Sequence, residues 1–296
     1  MDQTVATVII GIAFGVFART IMLKVDYRQY PSYPHGYITH ISLGFMAAAL
    51  GAVAIPAIAA EDFVAVTFLT LAAQQFRDIR NIERETLNKL DEKELIPRGT
   101  DYIEGIAKVF ETRNYLVIGT SLVASLIYFV YGLPHSLIAG GLFLMFLIYA
   151  MRGQSVGDIA DVEEADFKFE GAMLNVGGII IMNVGLLEAR EKLLKEAIAV
   201  KMKPKDDNAR ATLDDLGQRQ AIVHTVANLV GTKLEEGEQE WSPLVRKNID
   251  TGEVFLFILP NEPDVECVIE AVKSTPVLES SQRKILQSKI GRKASD

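Results

Sequence analysis

Three aspartates form the most chemical-looking pattern in the sequence. Asp78 follows an apolar run that ends at Phe76. Asp158 and Asp161 follow another that ends at Met151, within Ser155-Val156-Gly157-Asp158-Ile159-Ala160-Asp161. Two carboxylates close enough to share one proton split their pKa values, so that one acts as a base toward water and the other as an acid. That is hydrolytic chemistry. The competing reading is a helix-ending glycine followed by solvated acids. Asp158, Asp161, Glu163, Glu164 and Asp166 also offer the oxygen ligands that Mg²⁺ and Ca²⁺ take, but they lack the order of an EF-hand, and a solvated acidic linker is the better expectation. No metal or cofactor is implied. His40 falls inside an apolar run, where an ionisable group is a functional candidate by default. His35 and His135 fall at opposite ends of the spans, so His40 reads as an isolated interfacial hydrogen-bonder. No Ser/His/Asp order or Cys/His pair stands out, and the glycines at 177, 178 and 185 fit neither a P-loop nor a dinucleotide fingerprint.

The elements that would carry these aspartates are set by an uneven distribution of apolar residues. The chain has 296 residues, 49% of them hydrophobic, near the upper end of the soluble range. The long apolar runs are concentrated in residues 1–151. A spanning helix needs roughly 20 mainly apolar residues. Val5–Leu23, Tyr37–Ala60, Tyr115–Tyr131 and Ser136–Met151 qualify or come close, and Phe63–Phe76 does so only if its helix runs on. The expectation is a polytopic α-helical membrane domain of about five spans over 1–155, with a cytoplasmic helical loop at 77–114. A cytoplasmic α/β (α+β) domain over 156–279 and a basic tail over 280–296 would follow.

Lys and Arg gather on alternate sides of the runs. None precedes Arg19 and none lies in Glu61-Asp62 or Gly132-Leu133-Pro134-His135, whereas 77–113 holds Arg77, Arg80, Arg84, Lys89, Lys93, Arg98, Lys108 and Arg113. Because cytoplasmic loops are enriched in basic residues, the pattern predicts a multi-pass cell-membrane protein with its N-terminus outside and its C-terminal domain in the cytoplasm. Arg19 would snorkel to the headgroups. The net charge of −8 argues against nucleic acid as a partner. The expected partners are the lipid bilayer and a protein partner or substrate at the cytoplasmic face.

Two resemblances sharpen these expectations. Membrane aspartyl peptidases place one aspartate in a Gly-x-Gly-Asp motif. Gly157-Asp158 is similar, with Ser155 where the first glycine would stand, and the likeness implies Asp78 and Asp158 as the dyad with Asp161 as a substitute acid. Tyr102-Ile103-Glu104-Gly105-Ile106-Ala107 spells the hexapeptide of the YIEGIA family, and the chain resembles those membrane proteins of spore-forming Firmicutes along its whole length. The resemblance implies a regulatory role in sporulation. From the residues alone, Asp101 would cap the helix with Glu104 as its box partner, and Gly105 and Ala107 would form a small face for close helix–helix approach.

The C-terminal half predicts strands over Phe167–Val176 and Ile179–Val184, a helix over Leu186–Met202, and a helix over Leu213–Leu234 stopped at Gly231 or Gly237. A hairpin across Asp250-Thr251-Gly252 and a helix over Asp264–Ser274 complete it. The tail has the charge to touch anionic lipid. A domain of this size can fold by itself. The alternative to a peptidase is therefore a non-catalytic membrane scaffold whose cytoplasmic domain binds a protein. A transporter ranks last, since no inverted repeat is visible.

Overall fold

The computed structural model describes residues 2–26, 34–235, 238–284 and 288–294. The chain forms two compact units, one of residues 1–85 and 106–153 and one of residues 86–105 and 154–296.

The first unit is helical. It holds α1 (Gln3–Asp26), α2 (Pro34–Ala59), α3 (Phe63–Asp91) as far as Glu85, α4 (Thr100–Tyr131) from Ile106, and α5 (Leu133–Ala150). Gly132 at φ 82° breaks α4, and Pro134 opens α5 in its first turn, where a missing N–H costs nothing. Four helices, α1, α2, α4 and α5, are long and apolar enough to cross a membrane. The expected fifth, α3, meets Arg77, Asp78 and Arg80 directly after Phe76 and does not reach that standard.

The helices approach through small residues. Ala47, Ala48 and Ala52 are fully buried. The Ser121 hydroxyl donates to the Ala48 carbonyl at 2.6 Å, and that of Ser136 to Ala124 at 2.9 Å. Such contacts replace the hydrophobic drive that lipid cannot supply.

The second unit is α/β. Its elements are α6 (Val156–Ile159), β1 (Ala160–Glu164), β2 (Phe167–Glu170), β3 (Met173–Val176), β4 (Ile179–Asn183), α7 (Leu187–Glu196), β5 (Ile198–Pro204), α8 (Asp207–Asp214), α9 (Leu216–Val230), β6 (Leu234–Glu235), β7 (Glu238–Gln239), β8 (Leu244–Lys247), β9 (Val254–Ile258), α10 (Val265–Ser274) and α11 (Lys289–Ala294). An antiparallel sheet runs β1-β5-β9-β8, beside a β2-β3-β4 meander and a β6-β7 hairpin. Every residue of β9 is buried. Val254, Leu256 and Ile258 enter a core with Ile222, Val226, Val268 and Val272, while Phe255 and Phe257 enter a second core with Leu174, Val176, Ile181 and Leu193. The period-2 alternation of one strand thus feeds both faces of the sheet.

Several expected boundaries move. Gly171 at φ 64° folds Phe167–Val176 into the β2-β3 hairpin. The helix expected to run to Met202 ends at Glu196, and Ile198, Val200 and Met202 instead point from β5 into the first core. The acidic linker is partly a strand, β1, paired with β5. The Asp250-Thr251-Gly252 hairpin and the Gly231 stop are present as expected; the helix expected over Leu213–Leu234 breaks at Asp215 between α8 and α9, and the one expected over Asp264–Ser274 starts at Val265 with Asp264 as its cap. The tail falls partly outside the described residues.

Candidate functional site

Asp78 belongs to the helical unit, exposed on α3, whereas Asp158 and Asp161 belong to the α/β unit. Asp158 sits at the third position of α6, where its Oδ2 accepts from the Ser155 N–H at 2.7 Å and the Ser155 hydroxyl at 2.9 Å. The serine that departs from the peptidase motif is therefore the cap partner of the aspartate, an arrangement that satisfies the free amides of a helix start. Asp161 lies in β1, largely exposed, with Lys205 Nζ at 3.9 Å. The same ammonium donates to the carbonyls of Gly157 and Asp158. On β1, Glu163 is held below the usual carboxylate range by a hydrogen bond from Lys201 and by that residue's charge. Among the described residues no group of three or more His, Cys, Asp and Glu is placed to hold a metal ion.

The helical unit contains a cluster of ionisable side chains that the sequence reading did not assemble. Arg19 of α1 is 1% exposed. Its Nη1 meets Asp26 Oδ2 at 2.8 Å, and Arg113 Nε of α4 meets the other oxygen, Asp26 Oδ1, at 3.0 Å. Arg19 does not snorkel. Its stem crosses Gly44 of α2, where a Cβ would stand 2.5 Å from Arg19 Cγ, and its guanidinium lies 5.3 Å from the Phe110 ring centroid. His40 packs against the same ring at a tilt of 40°, with centroids 4.7 Å apart. Its Nε2 is 3.9 Å from Glu83 Oε1 of α3, and both side chains are buried. His40 is thus paired rather than isolated. Buried ions cost several kcal/mol each to desolvate, so five ionisable side chains from four helices are a functional signal. The sequence carried half a clue: Arg19 and Asp26 are seven residues apart, on one helix face. His135 is exposed and bonds the Tyr131 carbonyl; the His35 side chain lies outside the description.

The hexapeptide divides between the units after Gly105. Helix α4 begins at Thr100, so Asp101 lies in its first turn and Gly99, at φ 88°, precedes it. Asp91 accepts from the Arg98 and Gly99 amides at 2.7 and 3.2 Å, and Gln220 Oε1 accepts from the Tyr102 amide at 2.9 Å. Tyr102 and Ile103 are buried. Gly105 does not meet another helix: a Cβ there would stand 2.5 Å from Ser280 Oγ. Beneath this segment His224 Nδ1–H donates to the Ile96 carbonyl at 2.9 Å and its Nε2 faces Asn228 Nδ2 at 2.9 Å. Burial, followed by the Arg98 charge, lowers the pKa of His224. Cys267 is exposed, and the Asp264 carboxylate raises its thiol pKa, the reverse of an activated nucleophile.

The family model described as YIEGIA protein matches residues 7–288. Among curated proteins, YphB of Bacillus subtilis (strain 168) is 42% identical over 283 residues, covering 96% of this chain and 95% of YphB. No solved structure matches the chain.

Proposed function

We propose, from the premise that the chain belongs to the YIEGIA protein family, that it is a non-catalytic regulatory membrane protein of sporulation whose α/β unit binds a protein partner in the cytoplasm. The observation that carries this reading is on α7. Leu193 enters the second core, while Leu186, Leu187 and Leu194 are each more than half exposed. Arg190 fixes the helix by donating to the carbonyls of Val184, Gly185 and Gly171. The exposed charges around the leucines, Glu188, Glu191, Lys192 and Lys195, are balanced in sign. A helix that lies on anionic lipid is instead basic, so the patch fits the mixed polar rim of a protein partner.

The basic-residue pattern supports the N-out, C-in orientation. A fifth crossing by α3 has geometric support. Asp62, just before α3, bonds back to Ala57 near the end of α2, and Glu83 reaches His40 near its start. The 20 residues between Phe63 and Glu83 cover about 30 Å, the thickness of a hydrocarbon core.

The test places a photo-crosslinking residue at Leu187 or Leu194 of the full chain in sporulating cells, alongside the Leu187→Glu/Leu194→Glu variant. A single protein adduct, together with lower sporulation in the variant at unchanged protein level, is the expected result. No adduct together with unchanged sporulation would overturn the reading.

The second reading is a membrane aspartyl peptidase using Asp78 and Asp158, with Asp161 as the alternative acid. It draws support from the exposure of Asp78 and Asp161, which leaves both open to a substrate. Asp78→Asn and Asp158→Asn should then each abolish processing, and wild-type processing in both ends it.

A further inference from the structure

We propose that the α/β unit holds a ligand site distinct from the α7 surface: a pocket that takes a small monocarboxylate with an apolar body. The pocket has a volume of about 270 Å³, and all its lining residues belong to this unit. Leu216, Arg219, Gln220 and Val223 line it from α9, at the i, i+3, i+4 and i+7 spacing of one helix face. Arg98 lines it from the segment before α4, and Pro243 from the segment before β8. The lining side chains are apolar except for two guanidiniums and one amide, and no carboxylate is among them. An apolar wall with a few convergent polar groups is the composition of a small-molecule site, and the volume sits at the small end of that class.

The polar groups have donors to spare. Arg98 is 8% exposed, and its Nη1 faces Asp91 Oδ1 and Glu94 Oε1, each at 3.6 Å. Its buried Nε has no hydrogen-bond partner among the described residues, and the same holds for the buried Nε of Arg219. Arg219 Nη2 donates to the Asp214 carbonyl at 3.2 Å. Gln220 Oε1 accepts from the Tyr102 amide, which leaves the Nε2 hydrogens as that side chain's remaining polar capacity. Gly99, at φ 88°, gives this amide its room, since a Cβ there would stand 2.7 Å from Gln220 Nε2. Buried donors are normally satisfied, so two unsatisfied guanidinium nitrogens beside one pocket call for an acceptor. A carboxylate accepts from several N–H groups at once, and its hydrogen bonds to guanidinium are charge-assisted.

The charge count selects the anion. Arg98 already faces two carboxylates, whereas Arg219 forms no ion pair among the described residues. The positive charge left to a ligand is therefore that of Arg219, a single unit. This suits a carboxylate better than a phosphate monoester, which carries about −1.5 to −2 at neutral pH. Leu216, Val223 and Pro243 then receive the apolar body of the same molecule.

The experiment uses the full chain in phosphatidylcholine nanodiscs, with empty nanodiscs as the blank, and reads saturation transfer from protein to the methyl groups of isobutyrate. Isobutyrate should bind and its neutral counterpart isobutyramide should not. Arg219→Gln should weaken isobutyrate by about tenfold or more, the loss of one charge-assisted contact. Leu216 is exposed and is the first residue of α9, where an acidic side chain is favourable to the helix. Leu216→Glu therefore sets a negative charge at the pocket without threatening the fold, and should also weaken isobutyrate by about tenfold or more, whereas Leu216→Gln should retain most of the binding. No binding of isobutyrate, or equal binding of isobutyramide, overturns the proposal. Displacement of isobutyrate by inorganic phosphate at equal concentration overturns the choice of a carboxylate. If Arg219→Gln fails to reconstitute, the two Leu216 variants decide: a loss confined to Leu216→Glu supports the site, and equal binding in both overturns it.

Discussion

Arg19 and Asp26 stand two turns apart on α1 and close a 2.8 Å ion pair with side chains 1% and 3% exposed. The two arginines offset the cost of burying the Asp26 carboxylate. Asp26→Asn would leave two guanidiniums buried around a neutral amide. Removing one partner of a buried pair costs about 3–5 kcal/mol, so thermal unfolding in detergent should show a large loss for Asp26→Asn. Arg80→Ala is the control, because Arg80 is partly exposed and lies 3.8 Å from Glu111; its loss should stay below about 1 kcal/mol.

Gly51 and Gly119 distinguish packing from mere helix composition. A Cβ on Gly51 would stand 2.3 Å from the Ile118 carbonyl oxygen, which is backbone and cannot rotate away, whereas a Cβ on Gly119 meets nothing within 4 Å. Gly51→Ala should therefore part α2 from α4 and destabilise the helical unit by about 1–3 kcal/mol. Gly119→Ala, which meets no clash and gains the helix propensity of alanine, should be neutral or stabilising by up to about 1 kcal/mol. Equal effects of the two in a detergent unfolding series would contradict this helix contact.

The sequence made the apolar helices legible because each run is long and poor in charge, and it made the β8–β9 hairpin legible because Asp250-Thr251-Gly252 supplies turn chemistry with Gly252 at φ 75°. It hid β5 because Leu186–Met202 contains no Gly or Pro and carries Glu188/Lys192 at helical spacing, so nothing local marks the change from period 3.6 to period 2 at Ala197. It hid β1 because an acidic strand at the edge of a sheet exposes alternate carboxylates and reads as a solvated linker. The buried ion cluster was out of reach for another reason. Asp26 and Arg113 are 87 residues apart, and a basic residue near a span end reads locally as an anchor. The aspartates were conspicuous through the Gly-Asp dipeptide, whereas the Ser155 capping contact that employs Asp158 is a short-range pattern that the same stretch also carried.

His224 gives the α/β unit a specific acid sensitivity. The Ile96 carbonyl can only accept, so Nδ1 carries the proton and Nε2 is left to accept from Asn228. A second proton on Nε2 would confront the Asn228 amide. The pKa of His224 is lowered in the fold by burial and by Arg98. The sign follows: above about pH 6.5, the ordinary histidine value, both states are neutral and the unit has its full stability. As pH falls below that value the unfolded chain takes the proton first, and stability declines until pH passes the lowered folded value. His224→Gln should flatten this part of the stability–pH curve while costing about 1 kcal/mol at neutral pH for the altered hydrogen bonds. Denaturant unfolding at a series of pH values measures both, and an unchanged slope in the variant would assign the acid sensitivity elsewhere.

Gly105, the glycine of the hexapeptide, lies against the chain at Ser280. Its absent Cβ would stand 2.5 Å from Ser280 Oγ but 3.6 Å from Ser280 Cβ, so the conflict is with one hydroxyl and the rest of the contact is of ordinary van der Waals length. Gly105→Ala should destabilise the α/β unit by about 1 kcal/mol, set by how far that hydroxyl can rotate away and offset in part by the higher helix propensity of alanine. Ser280→Ala removes the hydroxyl and keeps the Cβ, so Gly105→Ala/Ser280→Ala should recover most of the loss. A double-mutant cycle in denaturant reads this coupling directly. If the glycine were required instead for backbone freedom within α4, the Ser280 change would restore nothing, and the two single effects would simply add.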